Sequence, residues 1–220
     1  MGSKKTRLER FKGRSAEDVF TEIYDKDDWG STESKSGKGS TLERTSIIRK
    51  QLPDFFKKYN IKRLYDGACG DFNWMSKLVE NLDFYTGTDI VEKMVKDNTE
   101  KYSNESIKFR AENISIHQIE NGYDAIFLRD VLVHLPIKDA IKALENVKKS
   151  GAKYLIATNF REISENEDLQ ANGLWRPINL EIKPFDLGEP LESMHESNQT
   201  YEYKNKMYTD KYLSIWELNK

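Results

Sequence analysis

The chain has 220 residues, enough for one domain with a substantial core, and its formal net charge of −2 argues against a general electrostatic binder of nucleic acid. One cysteine permits neither an intrachain disulfide nor a cysteine-based zinc site, and three scattered histidines do not space like metal ligands, so no metal is expected. No apolar run is long enough to span a bilayer and none resembles a secretory leader, which points to a cytoplasmic protein.

In chain order, Lys4, Lys5, Arg7, Arg10, Lys12 and Arg14 outnumber Glu9 and read as a solvated basic terminus. Ala16 to Tyr24 reads as a short helix with Val19, Phe20 and Ile23 on one face. A Gly- and Ser-rich stretch over 30–41 follows. Leu42, Ile48, Leu52, Phe55, Phe56 and Tyr59 then recur at helical spacing, with Pro53 placed to kink or divide the helix.

From residue 61 strands and helices alternate. Arg63–Asp66 is a strand that runs into a glycine-containing turn, and a helix over Asn73–Leu82 would stack Trp74, Leu78 and Leu82. A second strand over Phe84–Asp89 precedes a helix over Glu92–Tyr102; a third alternates at Ile107, Phe109 and Ala111; a fourth spans Tyr123–Leu128. Pro136 opens a helix through Val147 that Gly151 ends, and Tyr154–Ala157 is the fifth strand. Residues 159–190 are polar and read as a long, partly ordered insertion. Leu191–His195 and Tyr212–Leu218 then pair as a terminal antiparallel hairpin. The pattern predicts a Rossmann-like, seven-stranded, mostly parallel sheet with helices on both faces and a C-terminal antiparallel hairpin. Residues 1–60 would supply N-terminal helices and a lid, and residues 61–220 the main domain, within a single globular unit.

The turn after the first strand is where a doubly wound sheet holds its nucleotide, and Gly67, Ala68 and Gly70 let backbone approach a ligand there. Leu64-Tyr65-Asp66-Gly67-Ala68-Cys69-Gly70-Asp71-Phe72-Asn73-Trp74 resembles the first motif of class I S-adenosylmethionine-dependent methyltransferases. Trp29-Gly30, Glu33-Ser34, Ser36-Gly37 and Gly39-Ser40 are similar to the N-terminal signature of a bacterial subgroup of these enzymes. Arg129-Asp130-Val131-Leu132-Val133-His134-Leu135 and Trp175-Arg176-Pro177-Ile178-Asn179-Leu180 match the same subgroup's later motifs. Two positions depart from the commonest loop, which has Gly where this chain has Ala68 and Phe72.

The resemblance implies S-adenosylmethionine as cofactor, held by the loop Asp66, Gly67, Ala68, Cys69 and Gly70, with Asp66 near its ammonium. Asp89 would accept the ribose hydroxyls, Ile90 would pack on the adenine or in the core, and Asn113 would meet the adenine edge. Arg129 is a candidate for the cofactor carboxylate or an anionic substrate, against a plain ion pair. Past the fourth strand, His134 is the candidate base and Asp130 a group to orient it or bind the acceptor; the alternative is that His134 only caps the following helix. Trp29, Glu33 and Ser36 would belong to a lid, and Trp175, Arg176 and Asn179 to the substrate side, with Arg176 suited to phosphate or carboxylate. Trp74 would line the cleft or simply pack.

The acceptor stays open. A small polar molecule is the leading expectation, a sugar hydroxyl or glycan-linked group methylated on oxygen, with no nucleic-acid partner. RNA or protein methylation is the alternative, weakened by the missing basic stripe and by the lack of an Asn-Pro-Pro-Tyr sequence after the fourth strand. A silent cofactor-binding subunit is the third.

Overall fold

A computed structural model describes residues 6–196 and 198–218, so Lys4 and Lys5 of the basic arm lie outside the described residues. The rest of that arm is not loose. Thr6 and Glu9 form a reciprocal cap on α1 (Arg7–Phe11), and Phe11 is fully buried against Val19 and Ile23 of α2 (Ala16–Asp25). Arg10 bonds Glu22 and Asp28 at 2.7 and 2.6 Å, Arg14 also pairs with Glu22, and Arg7 donates to the Asp28 carbonyl at 2.6 Å, so three of the arm's cations serve local contacts. The expected solvated terminus is corrected to a docked helix.

α3 (Ser46–Lys58) runs unbroken through Pro53, where a kink or division was expected. Its inner face of Ile48, Leu52, Phe55 and Phe56 is fixed in the core, which compensates for the one backbone hydrogen bond that proline removes.

The sheet is assembled from β1 (Arg63–Gly67), β2 (Phe84–Asp89), β3 (Ile107–Ala111), β4 (Ala125–Leu128), β5 (Tyr154–Phe160), β6 (Glu192–His195) and β9 (Lys211–Glu217). Their spatial order is β3-β2-β1-β4-β5-β9-β6. The first five pair in parallel, and β9 pairs antiparallel with both β5 and β6. α4 (Glu92–Tyr102) and α5 (Ile137–Lys149) complete the crossovers. Strand alternation divides the core in two. Tyr65, Ile126, Leu128 and Leu155 meet α5 on one face, while Leu64, Tyr85, Phe127 and Ile156 meet α3 on the other.

Three other expectations change. The span 73–82 is two 3₁₀ turns, Met75–Lys77 and Val79–Asn81, because Leu78 leaves helical geometry at φ −122°; Trp74, Leu78 and Leu82 stay buried regardless. Residues 161–190 contain no helix or strand, yet Ile178 and Leu180 are fully buried, so this is packed chain and not a loose insertion. Between the two strands of the expected hairpin lies another, β7 (Tyr201–Tyr203) with β8 (Lys206–Tyr208). Among the described residues no helix is long and apolar enough to cross a membrane.

Candidate functional site

A cavity of about 300 Å³ opens where β1, β2 and β4 end, the position at which open parallel sheets bind ligands. Its first half comes from contiguous chain. After β1, Ala68 and Gly70 adopt left-handed φ values of 85° and 59°, and Phe72 follows at 58°. Ala68 and Phe72 are the two departures from glycine, and both fall at strained positions. The Phe72 ring is anchored among Tyr85, Tyr102 and Phe109 at 5.0, 5.1 and 5.0 Å. Gly67 faces away from the cavity. A Cβ there would come within 2.7 Å of Leu128, so its role is packing and not ligand contact.

Asp66 is 4% exposed and accepts the Tyr85 hydroxyl at 2.7 Å. Burial pushes its carboxyl up to about 7, against the pull of the Tyr85 hydroxyl. Asp89 accepts the Gly70 and Val91 amides at 3.1 and 3.0 Å, tying the loop to the start of α4. Burial raises its pKa while those amides hold it back. Ile90 and Asn113 also line the cavity. Asn113 Oδ1 is taken by the Ser115 amide at 2.9 Å, which leaves its NH₂ as the group available to a ligand. Cys69 is on the wall too, but burial pushes its thiol up, which makes it inert.

A strap over residues 29–40 closes over this loop. Asp71 accepts the Ser34 hydroxyl at 3.0 Å, the Lys35 amide at 2.7 Å and the Ser36 hydroxyl at 3.2 Å, and its own amide donates to Ser36 at 2.8 Å. Glu33 accepts from Asn73 Nδ2 at 2.8 Å and from the Leu42 amide at 2.6 Å. A Cβ on Gly70 would meet Ser36 Oγ at 2.0 Å, so glycine there admits the strap. Glu33 therefore locks the strap without reaching the cavity, whereas Trp29 and Ser36 line it.

The second half is gathered from distant chain. His134 ends a 3₁₀ turn after β4, and its Nδ1 lies 2.8 Å from the Leu174 carbonyl. A carbonyl only accepts, so Nδ1 carries the hydrogen and Nε2 is left with its lone pair. Leu174 is held in turn by α2, since Gly173 lets Val19 and Ile23 approach its backbone. Burial lowers the His134 pKa, partly offset by the Leu174 bond. The Trp29 ring lies 5.5 Å from the imidazole.

Asp130 does not orient His134 by a hydrogen bond; Leu174 does that. Asp130 Oδ2 instead meets Lys211 Nζ at 2.7 Å and lies 3.5 Å from Arg129. Burial would raise Asp130, but the charges of Lys211 and Arg129 outweigh it and hold the carboxyl at about 2. Lys211 also reaches Glu196 at 2.9 Å, and Arg129 bonds Glu196 through Nε at 2.8 Å and the strap carbonyl of Gly39 at 2.8 Å. Two cations and two carboxylates thus neutralise one another in the wall. Arg129 lies over Trp74 at 5.1 Å, and both line the cavity.

Trp175 stacks on Tyr201 at 6.2 Å, and both line the cavity. Arg176 and Asn179 do not. Arg176 is fully buried and donates to the carbonyls of Glu167, Leu132 and Leu135 at 2.6, 2.9 and 3.0 Å. Asn179 donates to the Ile163 carbonyl at 2.9 Å and accepts the Glu181 amide at 2.9 Å. Both fix the late loop, and the anion-binding expectation for Arg176 is corrected. Lys211, Tyr201 and the Leu174 carbonyl were missed. The available signal was a lysine heading an apolar strand, since Lys211 is 2% exposed. Among the described residues no group of His, Cys, Asp and Glu side chains is arranged to hold a metal ion.

The residues present fit S-adenosylmethionine. Asp66 offers a carboxylate that makes no ion pair among the described residues, Asp89 two acceptor oxygens at a strand end, and Asn113 a donor on the cavity wall. Residues 65–156 match the family described as Methyltransferase domain. No curated protein matches the chain. Among solved structures it is similar to an S-adenosylmethionine-dependent methyltransferase from Clostridium acetobutylicum, at 15% identity and TM-score 0.60, over 94% of this chain and 100% of that one. Magnesium protoporphyrin IX methyltransferase from Synechocystis with bound S-adenosylmethionine matches at 13% and 0.59, over 92% and 97% of the two chains. The N-methyltransferase NodS from Bradyrhizobium japonicum, in complex with S-adenosyl-L-homocysteine, matches at 12% and 0.58, over 91% and 99%. Likenesses this remote establish the fold. The family match covers the segment that holds Asp66, Asp89, Asn113 and His134.

Proposed function

We propose that the enzyme methylates a hydroxyl of a small polar acceptor, a sugar or a glycan-linked group, with His134 as general base. The observation that carries this reading is the tautomer of His134. With Nδ1 committed to Leu174 and burial lowering the imidazole's pKa, Nε2 on a cavity-lining ring is left as an acceptor. The aromatic planes of Trp29, Trp175 and Tyr201 suit the apolar faces of a sugar ring.

In this reading Asp66 pairs with the cofactor's ammonium, Asp89 accepts its ribose hydroxyls, Asn113 donates to its adenine edge and Ile90 packs on that ring. When bound, the cofactor supplies an electrophilic methyl on a cationic sulfur. The strap would shut water out and the aromatic wall would hold the acceptor hydroxyl, with His134 Nε2 placed to accept its proton. Asp130 keeps its charge throughout, because Lys211 and Arg129 hold its carboxyl at about 2.

The test is S-adenosyl-L-homocysteine release with pyranoside acceptors. His134→Ala should retain cofactor affinity by calorimetry and lose about 10²- to 10⁴-fold in kcat, the usual worth of a general base. Undiminished turnover would remove His134 as the base.

A further inference from the structure

On the reading just proposed, two atoms of the acceptor half hold open hydrogen-bond capacity. One is His134 Nε2. The other is Oδ1 of Asp130, for which no partner is seen among the described residues. The Asp130 backbone adopts φ 56°, and its N–H donates to Thr158 Oγ1 at 2.8 Å. Its Oδ2 is taken by Lys211, and its side chain keeps 26% exposure on the cavity wall. The aspartate therefore has one oxygen tied back and one presented.

Lys211 from β9 and Arg129 on the same turn are matched by Asp130 itself and by Glu196 beyond β6, which is fully buried. His134 and Tyr201 complete the surroundings, and Tyr201 lies under Lys211 at 5.1 Å. At this corner the two cations are matched and two acceptors border the cavity, which suits a molecule with two donors; Lys38 lines the cavity elsewhere. His134 follows Asp130 by four residues around a single turn, and each is near enough to bear on the other's ionisation.

We propose that Lys211 is a positioning residue that turns Oδ1 of Asp130 into the cavity as a second acceptor beside His134, and that the two together select an acceptor molecule with vicinal hydroxyls. The hydroxyl at His134 gives its proton to Nε2 while its oxygen bonds to the methyl carbon, and the carbon–sulfur bond breaks with its electron pair passing to sulfur. The neighbouring hydroxyl keeps its proton and donates to Asp130.

The experiment uses the full chain, S-adenosylmethionine and matched probes: methyl pyranosides with vicinal hydroxyls, their 3-deoxy derivatives, whose ring hydroxyls are isolated from one another, and aminodeoxy pyranosides. The intact enzyme should favour vicinal over isolated hydroxyls by about ten- to a hundredfold in kcat/KM, the worth of one hydrogen bond to a charged acceptor. Asp130→Asn should bring the two to parity, since Lys211 claims the amide oxygen and turns the NH₂, a donor, into the cavity. Lys211→Met should also abolish the preference, and Lys211→Arg should restore it. Where Lys211→Met fails to fold, shown by lost cofactor binding, Asp130→Asn and Lys211→Arg decide. Equal kcat/KM for vicinal and isolated hydroxyls, or a preference that survives Asp130→Asn, overturns the inference and leaves hydroxyl methylation standing. Transfer confined to the amino group, or to no probe, overturns both.

Discussion

Asp66 and Asp130 are the same residue type, line the same cavity and sit at the ends of neighbouring strands, yet they ionise oppositely. Burial takes Asp66 up to about 7, while Asp130, which keeps some exposure to the cavity, is held at about 2 by Lys211 and Arg129. The cofactor half lacks its cation until ligand arrives. The acceptor half is already neutral within itself, with Arg129 and Lys211 matched by Asp130 and Glu196. One half gains charge balance by binding; the other has it by folding.

The comparison can be broken most severely at the cofactor half. Asp89→Ala removes two oxygens from a strand end and frees both Gly70 and Val91. It should weaken S-adenosylmethionine by about a hundredfold, some 3 kcal/mol, as read by calorimetry. An affinity within a few-fold of the intact protein would remove Asp89 from the cofactor site.

The pH dependence sharpens the contrast. A protonated Asp66 cannot pair with an ammonium. Cofactor affinity should therefore be flat above pH 7 and fall by up to about tenfold for each unit below it, with proton release on binding near neutrality. Calorimetry in buffers of different ionisation enthalpy measures that proton. Asp66→Asn should abolish both the pH dependence and the release. Asp130, already ionised over this range, should contribute nothing to either.

The smallest effect tests the strain in the loop. Ala68→Gly relieves a left-handed φ of 85° and should stabilise the fold by about 0.5–1 kcal/mol, once the entropy of the added glycine is deducted. A lowered Tm would mean that the Ala68 methyl packs more usefully than its backbone suffers.

The two halves also differed in how far the sequence disclosed them. Strands β1, β2 and β3 with α4 carry regular alternation; Asp66 and Asp89 fall in the last residues of their strands and Asn113 two residues past β3, so the sequence alone puts all three at the sheet end where they line the cavity. The acceptor half resists such reading because its contacts span long sequence separations. Lys211 meets Asp130 across 81 residues, Arg129 meets Glu196 across 67, and His134 meets Leu174 across 40. Arg176 looked like an anion ligand because its type suits one, and only the fold reveals three backbone carbonyls already occupying it. The 3₁₀ turns over 73–82 were hidden for a different reason, since Trp74, Leu78 and Leu82 keep helical spacing without the helix.

The strap has a consequence for the timing of turnover. It is bonded to Asp71 in the cofactor half through Ser34, Lys35 and Ser36, and to Arg129 in the acceptor half through Gly39. It cannot lift from one half without loosening the other. On the proposed function, entry of the cofactor and departure of the product would then share one gate, and a mutation that frees the strap at either end would change both.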